Sequence, residues 1–212
     1  MQKKEQIKLT EEIVETAYRL LTHKLARGGV TAKNEAAFQL ELGHILKTLG
    51  QLYEFRLSDK FHLEFETYIN LAEKSIKSNS DRARVDLLIK YQDESNSTTA
   101  AFELKFFKKE MSREPHNRYD VFKDISNLEH YKKHGIDLCY FILATNHSHY
   151  VNRDSYSSDT SDFDFRDKKK YKAGTILQYK TDTPHGPDIV LQQDYLFKWD
   201  TVDDLYFLKV KV

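Results

Sequence analysis

The sequence predicts an α/β protein with a central mixed β-sheet flanked by helices. Three observations predict it: two stretches near the start with apolar residues at helical spacing, a pair of alternating strand segments joined by a polar turn, and a further helical stretch leading into an apolar run. A helix with one apolar stripe must cover something, and the order helix, helix, strands, helix, strand offers a sheet as the surface to be covered.

From Thr10, residues Ile13, Ala17, Leu20, Leu21 and Leu25 recur at helical spacing. Thr10 suits an N-cap, Glu11 and Glu12 suit the positive helix end, and Gly28-Gly29 ends the segment. A second helix is expected from about Ala32 to Leu49, with Phe38, Leu42, Ile45, Leu46 and Leu49 on one stripe and Gly50 as its stop. Phe61 to Ile69 alternates apolar and polar residues with the period of two that marks a strand. A polar linker, Leu71 to Arg82, follows.

Residues 83–91 and 99–107 read as strands, and the connection Gln92 to Thr98 is compatible with an antiparallel hairpin. After a loop through Pro115, Asn117 to His134 forms a third helix with Val121, Ile125, Leu128 and Tyr131 near one face and Gly135 closing it. Residues 137–145 form a buried strand. From Tyr150 to Asp167 the chain is polar and rich in Ser and Asp, which favour local turns over a ladder, so a mobile surface loop is expected there. Thr175–Lys180, Asp188–Gln192, Tyr195–Trp199 and Leu205–Val210 are short strand-like runs.

A chain of 212 residues suits one packed domain better than two, here a core at about 32–145 and a strand-rich C-terminal extension at about 150–212. With 33 basic and 33 acidic side chains the molecule as a whole exerts no long-range pull on a polyanion, so any nucleic-acid contact must come from a local patch. The single cysteine, Cys139, sits in an apolar run; it excludes an internal disulfide and points to a reducing compartment. No long apolar stretch suggests a signal peptide or a membrane span, so a cytoplasmic protein without a membrane partner is expected.

The chemistry concentrates in Arg84-Val85-Asp86-Leu87-Leu88-Ile89 and Ala101-Phe102-Glu103-Leu104-Lys105-Phe106-Phe107. On a strand Glu103 and Lys105 share one face, and Phe102, Leu104 and Phe106 share the other. With neighbouring strands about 4.8 Å apart, Asp86 on the same face would let its carboxylate and that of Glu103 hold one hard cation, with Lys105 beside it. The competing reading is a solvent-facing sheet on which Glu and Lys merely pair. Two features favour the cation site: Glu-x-Lys lies in a strongly apolar strand, and Asp86 precedes Glu103 by 17 positions on a second such strand. In Asn34-Glu35-Ala36-Ala37-Phe38-Gln39-Leu40, Glu35 falls in line with the apolar stripe of its helix, although an acid also suits an exposed first turn.

These segments resemble the core of the PD-(D/E)XK nuclease superfamily, the restriction-endonuclease-like fold, over about residues 32–145. The resemblance implies a magnesium-dependent phosphodiesterase site, with manganese as a substitute. Asp86, Glu103 and the main-chain carbonyl of Leu104 would be the metal ligands, Lys105 would polarise the attacking water, and Glu35 would lean toward the metal. Val85 stands where the motif's name has proline. The implied activity is endonucleolytic cleavage of DNA in restriction or defence, and a homodimer would present two sites to two strands. A catalytically silent binding module and a repair or resolvase nuclease are the alternatives.

Arg82, Arg84, Lys108, Lys109, Arg113 and Arg118 are the candidate phosphate-gripping patch. Asn127 is a candidate supporting residue on the third helix, and Glu64 or Glu66 could lend a further carboxylate. His147 and His149 lack a third ligand at a recognisable spacing, and Lys168-Lys169-Lys170 follows an acidic stretch that it would balance.

Overall fold

The computed structural model describes residues 1–71, 82–110 and 113–212. It is an α/β structure with a six-stranded mixed sheet flanked by helices. The expected polar linker lies, apart from its ends, outside the described residues, as do Met111 and Ser112 of the loop before Pro115.

Helix α1 spans Lys3–Ala26 and begins a full two turns before Thr10. Thr10 is therefore not the N-cap. It is buried inside the helix, where its Oγ1 donates to the carbonyl of Gln6 at 2.9 Å and so spares the hydroxyl an unsatisfied burial. The helix start is held instead by the Gln2 backbone N–H donating to Glu5 Oε2 at 3.1 Å. Gly28, at φ 71°, supplies the left-handed turn that ends the segment.

Helix α2, Glu35–Gln51, is capped by Asn34, whose side chain accepts the Ala37 N–H at 2.8 Å. Gly50 does not stop it. That glycine lies within the helix because a Cβ there would fall 2.2–2.4 Å from the ring of Phe61, so the close approach of helix and strand selects it.

The strands are β1 (Lys60–Asn70), β2 (Arg82–Gln92), β3 (Ser97–Phe107) and, after helix α3 (Glu114–Lys133), β4 (Leu138–Thr145). Pro115 occupies the first turn of α3, where its missing N–H costs nothing. β1, β2 and β3 are sequentially antiparallel, and β3 pairs with β4 in parallel through the α3 crossover.

Beyond β4 come the short helix α4 (His149–Asn152), a single 3-10 turn at Ser158–Thr160, and strands β5 (Lys170–Tyr171), β6 (Ile176–Leu177), β7 (Ile189–Val190), β8 (Tyr195–Leu196), β9 (Trp199–Val202) and β10 (Leu205–Lys211). The sheet order is β1-β2-β3-β4-β10-β9, so the C-terminal extension adds two strands to the central sheet. β10 runs antiparallel to β4, with Leu208 opposite Leu143.

One face of the sheet is covered by α1 and α2, through Ile13, Leu21, Phe38 and Leu46 against Leu87, Phe102 and Leu104. The other is covered by α3 and much of the extension, through Phe122, Ile125 and Tyr131 with Phe163, Phe165 and Phe197. The segment from Tyr150 to Asp167 is thus not the expected surface loop. Phe163 and Phe165 are wholly buried, and Arg118 of α3 donates to the carbonyl of Thr160 at 2.8 Å. Their hydrophobic burial outweighs the polar residues around them. Cys139 is buried within β4.

Candidate active site

β2 and β3 are paired from Gln92–Ser97 down to Leu87–Phe102, and the ladder stops there. The next residue of β2 is Asp86. Where the strands part, its Oδ2 accepts the Leu104 N–H at 2.7 Å, taking the place of the ladder bond that β2 no longer provides. Val85 packs with the α3-side core and Leu87 with the α2-side core, so β2 changes allegiance at Asp86. Gln39 of α2 reinforces the position, donating to the main-chain carbonyl of Asp86 and, at 3.2 Å, to Glu66 Oε1.

On β3, Glu103 and Lys105 face α3. Glu103 is fully buried, and its Oε1 accepts the hydroxyl of Tyr131 at 3.1 Å. Lys105 Nζ lies 2.8 Å from Asp124 Oδ2, 3.8 Å from Glu35 Oε1, and donates to the Leu104 carbonyl at 3.1 Å. Asp124, Asn127 and Tyr131 follow one another at i, i+3 and i+7, which places them on one stripe of α3 facing the sheet.

The electrostatics show that these groups form one cluster. Burial would push the Lys105 ammonium down, but the carboxylates of Asp124, then Glu35 and Asp86, override it and hold it well above the ordinary lysine range. Burial pushes the Glu35 carboxyl up; Lys105 pulls it down, while Asp86 and Asp124 push it further up. The Tyr131 hydroxyl is raised first by burial and then by Glu103, with Asp124 and Asp86 adding to it. Three carboxylates, those of Asp124, Glu35 and Asp86, thus bear on a single ammonium, and Glu103 joins the cluster through Tyr131.

A cleft of about 680 Å³ opens onto Glu35 and Lys105 and is lined also by Lys33, Asn34, Lys108, Arg113 and Asp120. Of the candidate phosphate-gripping residues, Lys108 and Arg113 line this cleft. Lys109 is exposed nearby, and its backbone N–H is held by Asn146 Oδ1 at 2.8 Å. Arg84 pairs with Glu66 at 3.0 Å, and Arg82 lies over the ring of Tyr68 at 4.7 Å; both are on the exposed surface of β2.

Arg118 departs from the expectation of a surface phosphate contact. It is 2% exposed, its Nε lies 2.9 Å from Glu114, and its guanidinium sits 3.8 Å over the ring of Tyr156. A guanidinium can be buried when its fork is filled by partners in this way, and here it pins the segment after α4 to α3. Glu64 accepts the Thr67 hydroxyl at 2.7 Å, and Glu66 is engaged by Arg84 and Gln39. His147 and His149 lie ring to ring at 4.3 Å at the start of α4.

Asp124, Tyr131 and Gln39 are the site residues that motif reasoning missed. For the first two a signal existed: polar residues on the stripe of α3 that also carries Leu128 must point at the sheet, and a buried carboxylate there needs a cation.

The donor chemistry fits a hard divalent cation, since carboxylate oxygens and the Leu104 carbonyl are the ligand types magnesium takes. Among the described residues no three His, Cys, Asp or Glu side chains converge to hold a metal by themselves. Asp86 and Glu103 would form part of a shell that the Leu104 carbonyl, water and substrate oxygens complete.

Comparison with family models, with curated proteins and with solved structures finds no match to this chain. No helix among the described residues is long and apolar enough to cross a membrane.

Proposed function

We propose that the protein is a magnesium-dependent endonuclease that hydrolyses phosphodiester bonds in DNA, with manganese able to replace magnesium, and that it belongs to the PD-(D/E)XK superfamily. A cytoplasmic role in restriction or defence against foreign DNA, carried out by a homodimer, is part of the same proposal. The observation that carries it is the joint placement of Asp86 on the Leu104 N–H and of Lys105 between the Leu104 carbonyl and Asp124, with Glu103 behind them.

Asp86, Glu103 and the Leu104 carbonyl would hold the metal, which when bound supplies charge neutralisation on the phosphate and lowers the pKa of coordinated water. The protein's own groups do the rest. The Asp86–Leu104 hydrogen bond fixes one carboxylate against the carbonyl-bearing segment of the next strand, so the ligands are set before substrate arrives. Tyr131 orients Glu103 by donating to it. Lys105, kept charged by its carboxylate neighbours, is no general base at neutral pH; it orients water through its N–H groups and offsets negative charge growing on the phosphorane. Glu35 and Asp124 hold the ammonium in place from two sides. Lys33, Lys108 and Arg113 line the cleft through which a phosphate backbone would enter.

The test is incubation of purified protein with supercoiled and linear DNA in magnesium, in manganese and in chelator. Cleavage that needs metal and vanishes in Asp86→Ala and Lys105→Ala, with the fold intact by circular dichroism, is expected. Undiminished nicking by Asp86→Ala would refute the site. Discrete fragments would favour restriction, and junction-selective cutting would favour resolution or repair.

A further inference from the structure

A second hollow, of about 310 Å³, adjoins the cleft just described and shares Phe106, Phe107 and Lys108 with it. Its character is different. Leu25, Val30, Ala32 and Leu205 join the two phenylalanines to make an apolar wall, and Thr31 and Asn146 are its neutral polar groups. The carbonyl of the Asn146 side chain is taken by the Lys109 N–H, so what Asn146 can offer a ligand is its amide NH2. Carboxylates line the first cleft, at Glu35 and Asp120, whereas among the described residues none lines this one. Among the described residues, the only charged side chain lining it is Lys108, at the shared boundary.

We infer that this hollow receives one nucleobase of the strand whose phosphate lies at Lys105, so the preferred substrate presents an unpaired or extruded nucleotide beside the scissile bond. The inference rests on the nuclease reading and narrows its substrate. A ligand that is anionic at one end and a neutral, flat, hydrogen-bonding ring at the other matches the sequence of surfaces: carboxylates and ammonium, then Lys108, then an apolar wall with one hydroxyl and one amide. A sugar–phosphate backbone alone would leave that wall in water. Base faces stack on aromatic and aliphatic side chains irrespective of sequence, and Thr31 and Asn146 could reach a ring edge. In an intact duplex each base is stacked and paired in the interior, so only a single strand, an end or a flipped nucleotide can supply a base to a wall of this kind.

The test uses the full chain in chelator, where binding is read without cutting, and two variants outside the proposed catalytic machinery. Thr31→Trp covers the hollow from an exposed position, and Ala32→Phe fills it from its wall. The probes are a single-stranded oligonucleotide carrying one 2-aminopurine, the same oligonucleotide with an abasic site in its place, a matched duplex, and a duplex with one mismatch.

Expected results are a change in 2-aminopurine fluorescence on binding that both variants abolish, and affinity for the single strand roughly 10-fold lower in each variant, which is about 1.4 kcal/mol. Affinity for the abasic strand should be the same in variants and parent. Fluorescence change with the single strand alone identifies an unpaired strand as the source of the base, and change with the mismatched duplex as well identifies extrusion. Equal affinity of parent and folded variants for the base-bearing strand would overturn the inference, as would parent protein that binds the abasic strand as tightly as the intact one or binds no oligonucleotide. Metal-dependent cleavage that is indifferent to both variants would remove the base site and leave the nuclease reading standing. Base-dependent binding without cleavage in any metal would do the reverse.

Discussion

Lys105 and Asp124 meet at 2.8 Å, an ammonium from β3 against a carboxylate from α3, and the side chain of Asp124 is 5% exposed. Asp124→Asn removes the charge but keeps the shape. Lys105 would retain Glu35 and the Leu104 carbonyl, so the ammonium survives but is held from one side only. Turnover should fall roughly 10- to 100-fold, the range for a group that orients active-site residues, with a smaller change in KM. Stability should fall by about 1.5–3 kcal/mol, as for loss of a hydrogen bond to a charged group, measured by urea denaturation.

Glu35 makes stability depend on pH in an unusual direction. Burial raises its folded-state pKa above the unfolded value, so the folded protein binds more protons than the unfolded chain between the two. Its contribution is therefore favourable below the unfolded carboxylate range and is lost as pH rises through the folded value. Glu35→Gln, studied in chelator, should be more stable than the parent at neutral pH and no more stable at pH near 4. Parallel stability–pH curves for the two proteins would contradict this.

The crowding of carboxylates around Lys105 also predicts a response to divalent cations. Magnesium or calcium binding only to the folded chain should raise the melting temperature, by the equivalent of about 2.7 kcal/mol at a hundred times its dissociation constant. Chelator should reverse the shift, and Asp86→Ala should show none. Calcium is the useful control, since it reports binding in thermal scans whether or not cleavage follows.

Two glycines of α2 separate packing from propensity. A Cβ on Gly50 would meet the ring of Phe61, which is 1% exposed and enclosed, whereas a Cβ on Gly43 would meet the ring of Phe65, which is 42% exposed. Gly50→Ala gains about 1 kcal/mol of helix propensity but incurs overpacking of about 1–3 kcal/mol, so it should destabilise. Gly43→Ala should be neutral or stabilising, because Phe65 can swing aside. Melting temperatures of the two variants check the contrast.

The cationic residues should likewise divide into two behaviours. Lys108→Ala and Arg113→Ala, at the cleft, should weaken DNA binding and each lower the slope of log affinity against log salt by about 1. Arg118→Ala should instead destabilise the fold by about 1–3 kcal/mol, because it leaves the Thr160 carbonyl without its donor and removes the guanidinium stacked on Tyr156, while Glu114 keeps Arg153 at 3.1 Å. Salt-dependent binding and chemical denaturation on the same preparations distinguish them.

Periodicity made most elements legible. A repeat of two or of 3.6 reports which residues share a face, and so α2, α3, the β2–β3 hairpin and β4 were readable within a few residues, as was the placement of Glu103 and Lys105 on one side of β3. It does not report what lies opposite. Thr10 looks like a cap until Gln6 is seen behind it, and Gly50 looks like a stop until Phe61 is seen above it. Phe163 and Phe165 look like stray apolar residues in a polar loop until α3 meets them.

The residue types able to carry the chemistry, and the strands that hold them, were therefore determined by the sequence itself, through local alternation that needs no knowledge of the rest of the chain. Only the tertiary structure decided that Asp86 would seat itself on the Leu104 N–H as two strands part, that Asp124 would answer Lys105, that Arg118 would be buried, and that β10 would join the sheet beside β4. The physical reason is that these are pairings between distant segments. Their free energy depends on which groups the whole fold brings into contact and dehydrates together, and no window of neighbouring residues contains that information.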